Sequence, residues 1–216
     1  MKTFRNKHPQ RTYSGTAKDK YTDYHPELRE DFNHRCAYTD CSDSWWQDGF
    51  HIDHFAPKEP RSVTDPVKKA QFKALENAYS NLVYACPQVN RSKQDDWPSD
   101  DPTVCQKDGK GYIDPCTDFN QYFERTDTGA IVPKDNLIAK YMWKRLKLYL
   151  IRYELYWRME QLAARSARLA TLSKTANLPD EIKSEAQGLM ADLIEEHAKY
   201  ERYLDANYRG IIRDAQ

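Results

Sequence analysis

The C-terminal third of the chain has the most regular spacing of apolar and polar positions. Apolar residues recur about every 3.5 positions over residues 138–169 and again over residues 182–204, which places them on one face of an α-helix. The pattern breaks at residues 173–179, and Pro179 suits the opening turn of a second helix. We therefore predict two long amphipathic helices, the first of about 35 residues, that form an antiparallel hairpin over residues 134–216.

The pattern is less regular before this hairpin. Residues 1–24 are polar and aperiodic, which predicts an extended or partly ordered arm. Pro26 fits the first turn of a short helix that ends before residue 36. Residues 36–98 mix aromatic residues, short apolar runs and prolines, a texture typical of compact α+β structure. Residues 99–133 contain prolines and glycines without periodicity, which predicts an irregular connector.

The sequence predicts one further helix from its N-terminal cap. Thr64 or Asp65 can cap a helix that begins at Pro66. The predicted fold class is therefore α+β and mainly helical, with a small core at residues 36–98 and the C-terminal hairpin.

Charge bears on the class of partner. The 216 residues carry 33 Lys+Arg and 33 Asp+Glu, so the formal net charge is zero. The distribution is uneven, because residues 1–20 hold 6 basic residues against one acidic residue and residues 134–170 hold 9 against 3. A basic arm and a basic helix thus flank a more acidic middle, which keeps a nucleic-acid partner possible, although a salt-bridged surface gives the same pattern.

Other features concern location and redox state. The chain has no run of about 18 apolar residues that would cross a bilayer, and its first twenty residues lack the apolar segment of a secretory signal. We therefore expect a cytoplasmic protein. Five cysteines without an export signal make a disulfide framework improbable and favour metal ligation or buried thiols.

The candidate chemistry lies in HIDHFAPK, residues 51–58, and YSNLVYACPQVNRSK, residues 79–93. Adjacent residues on a strand point to opposite faces or splay at the strand end, so Asp53 can ligate a metal while His54 stays off it. Asn90 follows a point where a helix can begin, and its neutral oxygen suits a hard cation such as Mg²⁺.

These segments together resemble the HNH endonucleases. The resemblance is carried by Cys36 with Cys41, by HIDHFAPK, by YSNLVYAC, and by the NRSK and DDWP runs, in the family's order and spacing. It covers residues 36–98 and implies a ββα-metal core there. It also implies the hydrolysis of phosphodiester bonds in nucleic acid.

The resemblance implies roles for particular residues. His54 is expected to be the general base, with Asn81 as the residue that steadies it. Asp53 and Asn90 are expected to bind one Mg²⁺ or Mn²⁺. His51 either ligates the metal as well or is a hydrogen-bonded structural histidine.

The chemistry explains these residue types. Hydrolysis requires an activated water, a Lewis acid at the scissile phosphate and relief of charge on the leaving oxygen. A histidine with a reference pKa of about 6.5 can accept the proton of the water at neutral pH. Lys58, Arg91 or Lys93 could contact the phosphate backbone.

The cysteines depart from the family pattern. Many HNH proteins bind a structural Zn²⁺ through two C-x-x-C pairs. Here the first pair is widened to C-x4-C and Val89 stands where the second pair would be completed. The possible zinc ligands are Cys36, Cys41 and Cys86, with Cys105 or Cys116 as a fourth. A degenerate site replaced by packing is the alternative.

The region after the core resembles one particular group of HNH proteins. GYIDPCTDFNQYFERTDTGAIVP, residues 111–133, is similar to the HNH subunits of Septu-type anti-phage defence systems and related retron-associated modules. This similarity implies an ABC/SMC-like ATPase partner, with the hairpin either docking it or merely covering the core. DNA is the favoured substrate. The alternatives are RNA, such as a tRNA, and a non-catalytic nucleic-acid-binding module with a treble-clef-like core.

Overall fold

Helices and small antiparallel sheets make up the computed structural model, which describes residues 1–46, 49–174 and 178–209. The predicted class, α+β and mainly helical, is confirmed. The chain divides into two compact units, Met1–Leu150 and Ile151–Gln216. None of the helices in the described ranges is long and apolar enough to cross a membrane.

The elements follow one another in short pieces until the last two helices. The strands are β1 (Lys2–Thr3), β2 (His51–His54), β3 (Leu82–Ala85), β4 (Gln106–Lys107), β5 (Lys110–Gly111), β6 (Phe123–Arg125) and β7 (Ile131–Pro133). The helices are α1 (His25–Asp31), α2 (Pro66–Lys73), α3 (Pro87–Lys93), α4 (Leu137–Arg145), α5 (Ile151–Ser173) and α6 (Asp180–Leu204). Short 3-10 helices lie at Tyr21–Tyr24, Asp43–Trp45, Tyr79–Asn81 and Phe119–Gln121, and a π-helix at Asp205–Arg209.

The strands pair in three separate groups within the described residues. β2 pairs with β3, β4 pairs with β5, and β6 lies between β1 and β7, all antiparallel. The predicted irregular connector at residues 99–133 therefore contains four short strands, β4 to β7. Runs of two or three residues are too short to show the alternation that marks a strand in sequence.

A strand–strand–helix unit occupies the middle of the first compact unit. In the β2–β3 pair, His51 lies opposite Ala85 and His54 opposite Leu82. All four residues of β3 are buried, whereas β2 runs from an exposed His51 to a buried His54. A single residue, Cys86, separates β3 from α3, which begins at Pro87. Proline suits a helix start because its missing N–H would be unpaired there in any case.

The N-terminal segment is attached along its length. β1 pairs with β6, and the Arg5 guanidinium, which is buried, donates to the carbonyls of Ala37 at 2.5 Å and Pro115 at 3.2 Å. Arg11 donates to the Leu82 carbonyl at 2.8 Å. Two basic residues of the predicted arm, Arg5 and Arg11, are thus engaged in hydrogen bonds within the protein.

The predicted helix of about 35 residues is also wrong, because two helices, α4 and α5, share that region. Between them Leu146 and Leu148 are buried and Lys147 adopts a left-handed conformation with φ of 54°. The apolar spacing continues through this turn, so the sequence pattern does not reveal it. The hairpin accordingly begins at Ile151, not at residue 134.

Two predicted helix starts are confirmed. Asp65 caps α2 by accepting hydrogen bonds from the amides of Val67 and Lys68, and α6 begins at Asp180 with acidic residues in its first turn. Carboxylates near a helix N-terminus are stabilised by the exposed amide groups there. The predicted break at residues 173–179 lies partly outside the described residues, which omit 175–177.

Candidate active-site cleft

An open cleft of about 320 Å³ lies beside β2 and α3. Asp53 and His54 of β2 and Asn90 of α3 all line it. Tyr21 and Lys58 form part of its wall. The structure thus brings the predicted base and both predicted metal ligands to one concave surface.

The local fold explains this grouping. The antiparallel register sets Asp53 opposite Val83, and the short link through Cys86 returns the chain as α3 beside β2. Asn90 lies one turn into α3, and its Nδ2 is 3.2 Å from His51 Nδ1. Because the amide nitrogen donates to that imidazole, the Asn90 oxygen is the atom left to coordinate a cation.

Asp53 is held at both carboxylate oxygens. Its Oδ1 accepts from the Lys93 ammonium at 3.1 Å, and its Oδ2 accepts from the Tyr38 hydroxyl at 3.1 Å. Burial raises the pKa of Asp53, while Lys93 and the Tyr38 hydrogen bond oppose that rise. Each carboxylate oxygen accepts more than one bond, so both keep capacity for a metal ion.

His54 is oriented through one ring nitrogen. Its Nε2 lies 2.9 Å from the backbone carbonyl of Glu76. Because a carbonyl only accepts hydrogen bonds, Nε2 carries the proton and Nδ1 holds the lone pair. No described residue hydrogen-bonds Nδ1. Burial lowers the pKa of His54, which favours the neutral imidazole at neutral pH.

A tyrosine packs on this imidazole. The ring centroids of Tyr21 and His54 are 4.7 Å apart in an edge-on arrangement, and the Lys58 ammonium lies 4.9 Å from the Tyr21 centroid. Lys58 also pairs with Glu76 at 2.7 Å. Sequence reasoning missed Tyr21, because it lies thirty residues before the motif in a polar segment without periodicity.

Asn81 acts on the backbone that follows His54. Its side chain accepts from the Ala56 amide at 2.8 Å and donates to the Ala56 carbonyl at 2.9 Å and the Leu75 carbonyl at 3.3 Å. Its own carbonyl accepts from the Phe55 amide at 2.7 Å. Asn81 therefore fixes the loop that leaves β2, and it is a positioning residue for the end of that strand.

Lys93 differs from its predicted role. It was one of three candidates for contact with the phosphate backbone, yet its side chain has no exposed surface. Its ammonium donates to the His54 carbonyl at 2.6 Å as well as to Asp53. The prediction of phosphate contact is wrong for Lys93, because a buried ion pair occupies its charge.

The residue after Lys93 has an unusual backbone. Gln94 ends α3 with φ of 53° and ψ of −133°, a conformation that residues with a Cβ adopt only at a cost. Gln94 lines the cleft. Strain of this kind persists only where the surrounding structure enforces it. Here the strained residue lies at the end of α3, the helix that carries Asn90.

Three thiols form a separate buried cluster. The Cys86 amide lies 3.3 Å from Cys36 Sγ, and Thr39 Oγ1 lies 3.0 Å from Cys41 Sγ. Burial by itself would raise the pKa of Cys36, but hydrogen bonds from Cys41 and Cys86 bring it well below its usual range. Within the described ranges no three His, Cys, Asp or Glu side chains are grouped to hold a metal ion. Val89, which stands at the sequence position of the missing cysteine, is fully buried.

No protein-family model matches the chain, and no curated protein or solved structure does so either. Functional assignment therefore depends on the residues and the geometry of the cleft. That geometry combines an imidazole with one unprotonated nitrogen and two side chains, Asp53 and Asn90, whose oxygen atoms are of the kind that hard divalent cations prefer.

Proposed function

We propose that this protein is a metal-dependent HNH endonuclease that hydrolyses phosphodiester bonds of nucleic acid, with DNA as the favoured substrate. One observation carries the proposal: His54, Asp53 and Asn90 line one cleft on a strand–strand–helix unit. The order and spacing of these residues are those of the HNH motif.

His54 performs the proton transfer in this proposal. Its Nδ1 lone pair accepts the proton of the attacking water, because Nε2 is held as a donor to the Glu76 carbonyl. The resulting imidazolium keeps that hydrogen bond, which stabilises the charged form as it develops. A positioned general base of this kind contributes about 10²- to 10⁴-fold to a rate.

Asp53 and Asn90 would hold one Mg²⁺ or Mn²⁺. The donor set fits, since it offers one carboxylate and one amide oxygen and leaves most positions to water and phosphate, as Mg²⁺ prefers. When bound, the metal supplies Lewis-acid stabilisation of the scissile phosphate and the leaving oxygen. Lys93 and Tyr38 hold the Asp53 carboxylate in its orientation.

The same features argue against a module that only binds nucleic acid. A module that only binds nucleic acid has no need of an imidazole base beside a carboxylate and an amide oxygen, the set that His54, Asp53 and Asn90 provide in one cleft. The buried Lys93 holds the Asp53 carboxylate in place. The choice of DNA over RNA, and a partner ATPase in an anti-phage complex, rest on the resemblance alone.

The proposal is tested by incubating the purified chain with plasmid DNA and with tRNA, in Mg²⁺, Mn²⁺ or EDTA. We expect metal-dependent cleavage, a loss of about 100-fold or more for His54→Ala, and no change for His8→Ala, an exposed histidine far along the chain from the motif. Mn²⁺ binding followed by electron paramagnetic resonance should weaken in Asn90→Ala. Unchanged cleavage by His54→Ala contradicts the assignment of the base.

A further inference from the structure

The distal half of the helical hairpin exposes its apolar face. Over residues 163–173 of α5 no residue is buried, and over residues 180–196 of α6 only Ala186 is buried. Leu172 and Leu189 are about half exposed, at 53% and 49%. Helices of this kind gain most of their stability from burying one face. These two helices bury little in this region with only each other as partners.

The exposed face forms an apolar groove of about 360 Å³ between the two helices. It is lined by Arg165, Arg168 and Leu169 of α5 and by Leu189, Asp192 and Leu193 of α6. Leu172 continues the α5 stripe three residues after Leu169, and Ile182 lies seven residues before Leu189 on α6. The groove is therefore the centre of a longer stripe, with a basic rim on one helix and an acidic residue on the other.

The two helices carry opposite charge along this stripe. Residues 163–173 of α5 contain Arg165 and Arg168 and no acidic residue, whereas residues 180–196 of α6 contain six acidic residues and one lysine. Among the described residues, the side chains of Arg165, Arg168 and Asp192 have no hydrogen-bond or ion-pair partner. Charges at the groove are thus available to an external surface of matching pattern.

We propose that a second copy of this chain covers the groove, so that two hairpins form a four-helix bundle. A two-fold axis parallel to the helices places α5 of one copy against α6 of the other and keeps every residue at its own height along the bundle. Arg165 and Arg168 then face Asp192 of the second copy, and the leucines interdigitate between them.

The charges on the two helices favour the dimer with the parallel two-fold axis over the alternative symmetric dimer. An in-plane axis perpendicular to the helices would set α5 against α5 and α6 against α6, bringing basic against basic and acidic against acidic residues. Like charges at facing positions disfavour association. Antiparallel neighbours packed around an apolar core are a common construction of a four-helix bundle. A partner of a single charge sign would complement only one of the two rims.

The first test is the mass of the full chain in solution, measured by sedimentation velocity from about 1 to about 100 μM, the range in which interfaces of modest size associate. We expect a dimer of twice 25.4 kDa. Leu189→Asp should give a monomer with unchanged helical circular dichroism. Leu137→Asp, at a leucine 70% exposed on α4, should stay dimeric.

A charge exchange tests the proposed pairing. Arg168→Glu and Asp192→Arg should each weaken the dimer by about tenfold, because the symmetry repeats every contact twice, and the double variant should restore it. Arg168 and Asp192 are both exposed, so we expect the fold to be retained in these variants. A monomer throughout the concentration range overturns the proposal, whatever other protein the groove then binds. So does a dimer that persists in Leu189→Asp, or a double variant no stronger than the single ones.

Discussion

The Lys93 ammonium lies 3.1 Å from Asp53 Oδ1, and both side chains are buried. Lys93 also donates to the carbonyl of His54, so one lysine ties α3 to the two consecutive residues that carry the proposed chemistry. Removing one partner of a buried ion pair leaves the other charge without compensation. The pair therefore links the stability of the fold to the geometry of the cleft.

We expect Lys93→Met to lower the free energy of unfolding by about 3 kcal/mol, because Asp53 then loses its buried counter-charge. Urea denaturation measures the change. The double variant Lys93→Met/Asp53→Leu should recover part of the loss, since it leaves no buried charge. Lys69→Met, at an exposed lysine of α2, is the control and should change stability by less than about 0.5 kcal/mol. Equal effects of Lys93→Met and Lys69→Met would contradict this account.

The pH dependence follows from the burial of His54, which lowers its pKa in the folded state. The unfolded chain then binds a proton more readily than the folded one, so stability should decrease as pH falls below about 6.5 toward the folded pKa. If His54 is the base, the acid limb of the cleavage profile should also lie below about 6.5. Melting temperatures of the wild type and of His54→Ala across this range provide the stability measurement. A variant with an unchanged pH slope would assign that slope to other groups.

The part of the site that the sequence predicted lies within residues 51–93, the segment that carries the motif. Asp53 and His54 lie on β2, and Asn90 lies on α3, which a single residue joins to β3, the partner strand of β2. The helix start at Pro87 is a short-range property that the residue order indicates, whereas the pairing of β2 with β3 was implied by the resemblance.

The missed features depend on contacts between distant segments. Tyr21 reaches His54 from the N-terminal segment, and Arg5 finds its carbonyl acceptors 32 and 110 residues away. Polar segments that are ordered by such hydrogen bonds show no periodicity that a sequence pattern would detect. The turn at Lys147 was missed for the opposite reason, because buried leucines on both sides continue the helical spacing.

Tyr21 should support activity through its ring and not through its hydroxyl. The ring packs on His54 at 4.7 Å and accepts the Lys58 ammonium over its face. We expect Tyr21→Phe to retain the wild-type cleavage rate and Tyr21→Ala to lose about tenfold, since a misplaced base reduces the rate without abolishing it. Single-turnover cleavage rates at saturating enzyme measure the effect. A loss in Tyr21→Phe equal to that in Tyr21→Ala would show instead that the hydroxyl carries the effect.

The backbone of Gln94 gives the last prediction. Gln94 has φ of 53° and ψ of −133°, and a residue with a Cβ is destabilised by about 1–3 kcal/mol in this conformation. Glycine removes that strain, but it loses about 0.5–1 kcal/mol because it is more flexible in the unfolded chain. Gln94→Gly should therefore raise the free energy of unfolding by about 1 kcal/mol, or the melting temperature by about 2–4 °C.

Gln94→Ala is the matched control for this substitution. It keeps the Cβ and removes only the exposed contact of the Gln94 amide oxygen with Arg61 at 3.4 Å, so its stability should remain within about 0.5 kcal/mol of the wild type. If Gln94→Ala stabilises the protein as much as Gln94→Gly does, the destabilising strain arises from the side chain of Gln94 beyond its Cβ. A stabilisation by glycine alone places it in the backbone at the end of α3, the helix that presents Asn90 to the cleft.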